Sequence, residues 1–256
     1  PPPFCRVAVR SVEALSPRLL RVVLAGEELE GFTIEAPASS VRVLVPSAAG
    51  DVLVMPEWTG NQFEMPDGTR APIRTFTPRH ADAVRGELTI DIVLHDHGQV
   101  TDWARRAEVG DEAAVSGPGR SDHLDPEWTS HLLVGDESAV PAIGQLLEWI
   151  PGGQTVAVHI EVPEAEARIE LPEHEGATIT WHVAGNPAPP GSETGPMPGD
   201  ALVAAVEAID ELPDHVWVAG EAAAVQRLRK HLFDVRGRDR SGVTARGYWK
   251  YGRAET

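Results

Sequence analysis

The chain has 256 residues, 42% of them hydrophobic, with 22 Lys and Arg against 39 Asp and Glu and a formal net charge of −17. That length suits one large domain or two compact ones, and the apolar fraction excludes a wholly disordered chain. So acidic a balance excludes general nucleic-acid binding and adsorption to anionic membranes, since both need surplus cations. One cysteine, Cys5, rules out an internal disulfide and a cysteine metal cluster. No apolar run approaches the roughly 18 residues of a spanning helix, so membrane insertion is not expected. Residues 1–10 show no cationic head before an apolar stretch, which predicts a cytoplasmic, reducing setting. Nothing points to an oligomer, and a monomer is the expectation.

Residues 6–12 and 19–24 are short β-branched runs, broken by Ser16-Pro17 and Ala25-Gly26. Residues 41–45 alternate and stop at Pro46, residues 51–55 form another run, and 87–94 alternate most cleanly. Residues 113–116 lead into Gly117-Pro118-Gly119. Short strands at this spacing, with little helix between them, predict an antiparallel β-barrel over residues 1–125.

The rhythm then changes. Strands are predicted at 131–134, 155–160, 178–183, 215–219 and 242–245, and helices at 139–149, 200–209 and from Gly220-Glu221 to 235. Strand and helix in alternation predict an α/β domain with a parallel sheet over residues 126–256. Residues 185–199 hold five prolines and four glycines, which predicts a mobile surface loop. A barrel followed by such a half is the layout of flavoprotein reductases, where the barrel holds the flavin and the α/β half presents a nicotinamide.

Residues 74–79, Arg-Thr-Phe-Thr-Pro-Arg, put two guanidiniums, a ring and hydroxyls beside a proline. On an extended segment Arg74 and Phe76 share one face, and Thr75, Thr77 and Arg79 share the other. A guanidinium forks onto phosphate oxygens and a ring stacks on a flat cofactor. A turn-terminated barrel strand with solvated arginines has the same pattern. In residues 95–104, Gly98 permits a sharp turn, and Thr101 or a solvent-facing Asp102 is expected to cap a helix from 103 to 107. Such a helix start suits a pyrophosphate. His95 and His97 share a strand face, but two histidines without a third ligand do not predict a metal site. Gly135-Asp136-Glu137-Ser138 lies between strand and helix, where open α/β sheets bind ligands, and Gly220-Glu221 repeats that arrangement; Asp136, Glu137 and Ser138 read equally as helix-capping residues. The tail, residues 245–253, crowds aromatics and cations. Tyr248 and Trp249 are read either as strand packing or as cover for a flat cofactor, with Lys250 or Arg253 attracting an anion.

Residues 74–79, 135–143, 220–225 and 247–253 together, in this order, resemble the siderophore-interacting protein family, FAD-containing ferric-siderophore reductases. The resemblance covers nearly the whole chain. It implies hydride transfer from NADPH or NADH to FAD, then single electrons to Fe(III) held by an anionic siderophore, without a protein general acid, base or iron ligand. Carried over by residue, Arg74 grips the FAD phosphates, Phe76 flanks the isoalloxazine and Thr77 bonds its polar edge, with Thr75 and Arg79 in the same block. His95, Val100, Thr101 and Trp103 line the rest of the flavin site. Gly135, Asp136, Glu137, Ser138, Gly220 and Glu221 face the nicotinamide dinucleotide, and Tyr248 and Trp249 cover the cofactor. Arg42, Arg120 and Lys250 match the basic residues that attract the siderophore. Glu161, ending the strand after the first α/β helix, is placed to receive the ribose hydroxyls of NADH, whereas Arg168 would reach a 2′-phosphate. The chain departs from the family pattern at Phe76, where Tyr is usual, at Gln99-Val100-Thr101, where Pro-Ala-Ser is usual, and in a loop before them that is one residue shorter. These departures motivate a second reading, a non-redox ligand-binding or biosynthetic protein on the same scaffold.

Overall fold

In a computed structural model, the residues described are 1–48, 50–95, 98–192 and 194–252. His97 and Arg253 lie outside them. The chain divides into two compact units, Pro1–Ser121 and Asp122–Glu255.

The first unit is a seven-stranded antiparallel sheet. Its strands are β1 (Cys5–Ser16), β2 (Leu19–Ala25), β3 (Val41–Leu44), β6 (Arg74–Phe76), β7 (Pro78–Asp82), β8 (Glu87–Val93) and β9 (Glu112–Ser116), in the order β6-β3-β9-β1-β2-β8-β7. The two edge strands, β6 and β7, are consecutive in the chain, joined through Thr77, so the sheet rolls into a barrel with its seam at that residue. Alternation sends Val22, Leu24, Leu88, Ile90 and Ile92 inward, and the helix α1 (Gln99–Arg106) adds Val100 and Trp103 to the same core. Each such residue gains about 1.5–3 kcal/mol from burial. The buried acid of β8, Asp91, is met by Arg21 directly opposite on β2 through two bonds of 2.8 Å.

Residues 51–55 form no strand, contrary to their alternation. Leu53 is buried between exposed Val52 and Val54, but its carbonyl accepts from the Arg6 guanidinium at 3.2 Å, and no neighbouring strand pairs with it. The pairing beyond this point is instead a short hairpin of β4 (Glu57–Trp58) and β5 (Phe63–Glu64).

The second unit is a five-stranded parallel sheet of β10 (Ser130–Asp136), β11 (Thr155–Val162), β12 (Ala177–Val183), β13 (His215–Glu221) and β14 (Val243–Trp249), in the order β12-β11-β10-β13-β14. Helices α3 (Asp200–Glu207) and α4 (Ala222–Lys230) bury Leu202, Val206, Val225 and Leu228 against Leu132, Val134, Val216 and Val218. Helix α2 (Val140–Trp149) covers the opposite face, where a side chain at Gly135 would collide with Ala139 and come within 2.9 Å of the Ala219 carbonyl oxygen. From β10 the chain winds first toward β11 and later toward β13, so the topological switch lies between the carboxyl ends of β10 and β13, where such sheets take ligands.

Asp122, the first residue of the second unit, is buried, accepts from Trp217 Nε1 at 2.7 Å and pairs with the Arg246 guanidinium. Within residues 185–199, Ala188 is buried, its amide donates to the Pro196 carbonyl oxygen at 2.8 Å, and its own carbonyl accepts from the Tyr251 hydroxyl at 2.8 Å.

Candidate functional sites

In the first unit, register against β3 pairs Phe76 with Val41, Thr75 with Arg42 and Arg74 with Val43. Val41 and Val43 point into the core. Arg74 and Phe76 therefore share the inner face and are half-buried, with the Phe76 ring resting on the core; Thr75, exposed, and Arg42 share the outer face. Arg74 Nη1 donates to the Ile73 carbonyl oxygen at 3.1 Å. Thr77 and Arg79 are buried on either side of the seam's proline.

Helix α1 starts beside the same strand, and earlier than its sequence suggests. Its N-cap is Gly98, at φ +152°, which supplies no capping side chain. Neither Thr101 nor Asp102 caps it: the Thr101 hydroxyl donates to the Val93 carbonyl oxygen at 3.4 Å, and Asp102 is exposed within the helix. Among the described residues no side chain accepts from the first amides, and a helix start in that condition offers donors and positive dipole to an anion. Gln99 Nε2 donates to the Val45 carbonyl oxygen at 3.0 Å, clamping the helix start to the end of β3, two residues beyond the partner of Arg74. The exposed His95 lies over Gly98, whose added Cβ would stand 2.6 Å from His95 Cε1. Val100 and Trp103 face the barrel core and Thr101 is buried, so of these residues only Val100 and Thr101, in the first turn, offer a ligand their amides, while the amide of Trp103 lies within the helix. A half-buried guanidinium and ring on one face, with an uncapped helix start clamped to the adjoining strand, fit the phosphates and flat ring of FAD.

Of the basic candidates, Arg120 is held by its backbone to Ser40, two residues before Arg42. The Arg120 carbonyl oxygen accepts from the Ser40 amide at 2.7 Å, and the Ser40 carbonyl oxygen accepts from the Gly119 amide at 2.7 Å. Lys250 belongs to the second unit and is exposed.

At the switch point of the second unit, Asp136 is buried and ringed by donors. Oδ1 accepts from the Ser138 amide at 2.9 Å and hydroxyl at 2.5 Å; Oδ2 accepts from the Glu221 amide at 2.7 Å and Trp249 Nε1 at 2.8 Å. Burial raises its pKa, against the lowering effect of these donors. Gly220, at φ +141°, is the residue whose side chain would collide with this carboxylate. Buried Glu221 accepts from the Ala223 and Ala224 amides at 2.6 and 2.9 Å, capping α4, and from the Tyr251 amide at 3.1 Å. Glu137 and Ser138 are half-buried beside it.

Glu161 does not stand where a ribose could use it. It is buried, and its carboxylate accepts from the Gly199 and Ala201 amides at 2.6 and 3.2 Å, at the start of α3. Burial, more than the neighbouring Asp136, raises its pKa. Arg168 is exposed just after the short turn Ala165–Ala167. Three carboxylates of the chain thus occupy three helix starts at this edge of the sheet. The sequence offered capping as one reading of Asp136; at Glu161, and for Asp122, sequence reasoning missed the structural role. The available signal was an acid at the end of three neighbouring strands, β11, β10 and β13, which reads equally as a ligand for sugar hydroxyls. In the tail, half-buried Tyr248 stands edge-on to Trp217 at 6.5 Å, and Trp249 edge-on to Tyr251 at 6.2 Å. Among the described residues no group of three or more His, Cys, Asp or Glu could hold a metal ion, and no helix is long and apolar enough to cross a membrane.

Residues 8–122 match the family described as the siderophore-interacting FAD-binding domain, and residues 128–252 match the family described as siderophore-interacting protein. The ferric vibriobactin reductase ViuB of Vibrio cholerae is 32% identical over 249 residues, covering 94% of this chain and 87% of that one. The NADPH-dependent ferric-chelate reductase of Escherichia coli is 30% identical over 249 residues, covering 96% and 92%. The crystal structure of a siderophore utilization protein from T. fusca aligns with a TM-score of 0.84 at 31% identity, over 99% of this chain and 95% of that one.

Proposed function

The chain belongs to the siderophore-interacting protein family, and we propose that it is a flavin-dependent reductase that passes electrons from NADPH or NADH through FAD to Fe(III) bound by a siderophore. The observation that carries this reading is that the Arg74–Phe76 face lies on the strand paired with β3, to whose end Gln99 ties the start of α1, where no described side chain caps the helix. Full-length similarity to proteins named ferric vibriobactin reductase and ferric-chelate reductase supports it.

FAD supplies the conversion of a two-electron donation into single electrons. The chain's own residues bind and orient. Arg74 and the amides at 99–101 would hold the phosphates, Phe76 would flank the ring, and Thr75, Thr77 and Arg79 would shape the strand that carries them. Arg42, Arg120 and Lys250 would draw in the anionic chelate against the acidic background of the chain. Outer-sphere electron transfer to a chelated metal asks for no ligand from the protein. Release follows because hard-oxygen chelators hold Fe(II) far less tightly than Fe(III). The second unit would take the dinucleotide at the switch-point crevice. A monomer in the cytoplasm fits this chemistry.

The departures that motivated a non-redox reading lose their force. Gln99-Val100-Thr101 still opens a helix, and Gln99 anchors it. Phe76 keeps a half-buried ring where the family has Tyr. The test is the visible absorbance spectrum of the protein as isolated and after incubation with FAD. A flavin spectrum retained through gel filtration is expected; a colourless protein that takes up no FAD overturns the reading.

A further inference from the structure

Trp249 is the last residue of β14, and it reaches its position through a bulge. Pairing with β13 runs Gly220 with Gly247 and then Glu221 with Trp249, passing over Tyr248. An extra residue of this kind re-aims the side chain that follows. The re-aimed indole donates to Asp136 Oδ2 at 2.8 Å, from 113 positions along the chain.

The four groups around Asp136 are all donors, two to each oxygen. An amide in place of the carboxylate accepts on one side only and turns an NH2 toward two donors on the other. The contacts to Ser138 and Glu221 close turns at strand ends. The contact to Trp249 closes none. The backbone beside the indole is already held, by Glu221 on the Tyr251 amide at 3.1 Å and by the Tyr251 hydroxyl on the Ala188 carbonyl oxygen at 2.8 Å. What the fourth bond adds is a fixed direction for the Trp249 ring.

We propose that Asp136 is a positioning residue for the reductase: it presets the Trp249 indole at the switch-point crevice, so that the dinucleotide meets a wall already in place. The inference rests on the reductase reading above. Fixing a side chain before the ligand arrives saves about 0.5–1.5 kcal/mol, or roughly 2–12-fold in affinity. That effect falls on the dinucleotide and not on FAD, whose proposed ligands lie in the first unit.

The experiment is calorimetric titration of NADP+ and NAD+ into the FAD-loaded wild type, Asp136→Asn, Trp249→Phe and the double variant. In parallel, the Trp249 indole ¹H–¹⁵N resonance is identified by its loss in Trp249→Phe. Each single variant is expected to weaken dinucleotide binding by about 2–12-fold, with the double variant no weaker than the weaker single, because one contact serves both. In Asp136→Asn, which retains Trp249, FAD affinity is expected to stay within about twofold of wild type and the indole resonance to move. Additive losses, or an unmoved resonance, overturn the proposal. If Asp136→Asn does not fold, Trp249→Phe decides: dinucleotide binding as tight as wild type overturns it. A wild type that binds FAD but neither dinucleotide sinks the reductase reading and this inference together, whereas a binding wild type with unaffected variants sinks the inference alone.

Discussion

Asp136 Oδ2 sits between the Glu221 amide, at 2.7 Å, and the Trp249 indole, at 2.8 Å, residues 85 and 113 positions away in sequence. One carboxylate oxygen thus ties three strand ends, β10, β13 and β14, into a single edge. The carboxylate lies against the Cα of Gly220, in a place a side chain would fill. Gly220→Ala is therefore expected to cost about 2–3 kcal/mol, through both the positive φ and the displaced carboxylate. The urea midpoint of unfolding measures it, and a loss under about 0.5 kcal/mol contradicts the packing described.

Glu221 caps α4 with Oε2 and holds the Tyr251 amide with Oε1. Glu221→Gln can keep one of these arrangements and not both, since one oxygen becomes an NH2 facing an amide donor. A destabilisation of about 1 kcal/mol is expected in denaturant unfolding. Equal stability of variant and wild type would show that the cap contributes nothing.

Arg74 is the guanidinium proposed to fork onto the FAD phosphates. Arg74→Ala is expected to raise the FAD dissociation constant by about tenfold or more, equivalent to about 1.4 kcal/mol. Arg74→Lys should recover part of that loss, because an ammonium gives charge without the fork. FAD titration of the apoprotein reads both variants, and unchanged affinity in Arg74→Ala removes Arg74 from the site.

At the opposite end of the parallel sheet, His131 and His215 meet Nδ1 to Nδ1 at 3.1 Å. His131 Nε2 donates to Gln154 Oε1 at 2.7 Å, so its Nδ1 accepts the proton of His215, whose Nε2 is buried without a partner under the stacked Trp128 ring. Burial first, and then His131, push the His215 pKa from 6.5 down to about 3; burial also lowers that of His131, against the hydrogen bond it donates to Gln154 and the charge of Asp214. A histidine that resists protonation when folded gives stability fully present above its unfolded pKa. That stability drains away as pH falls from about 6.5 toward 3, by up to about 1.4 kcal/mol per pH unit for each such group. His215→Phe keeps a ring under Trp128 and removes one titrating group. Its unfolding free energy is expected to fall less steeply than that of wild type between about pH 6.5 and 4.5. Parallel slopes contradict the assignment.

The elements most legible in the sequence are those fixed by local pattern. The alternation of residues 87–94 became β8, and the strand–helix rhythm after residue 130 became the parallel sheet. Pattern alone failed where the partner was remote. Residues 51–55 alternate as a strand would, yet the Leu53 carbonyl goes to Arg6. Glu161 reads as a sugar ligand until its carboxylate is found on the Gly199 and Ala201 amides. Asp122, near the end of the predicted first domain, carries no local signal, because only the folded chain brings Trp217 and Arg246 to it. In the candidate flavin block, the residue types of 74–79 were legible and the faces of 74–76 followed from period two, whereas Thr77 and Arg79, expected to share the face of exposed Thr75, are buried where the strand breaks and bulges. The start of α1 was not legible: the capping rule favours Thr101 or Asp102, and the helix begins instead at Gly98.

The most direct measurement is anaerobic stopped-flow absorbance of the FAD-loaded protein. NADPH or NADH is expected to bleach the flavin band, and a ferric siderophore added next is expected to restore it while a ferrous chelator in the cell turns coloured. A flavin band untouched by either nicotinamide, or a bleached band that the ferric siderophore leaves bleached, contradicts ferric-siderophore reduction by this chain.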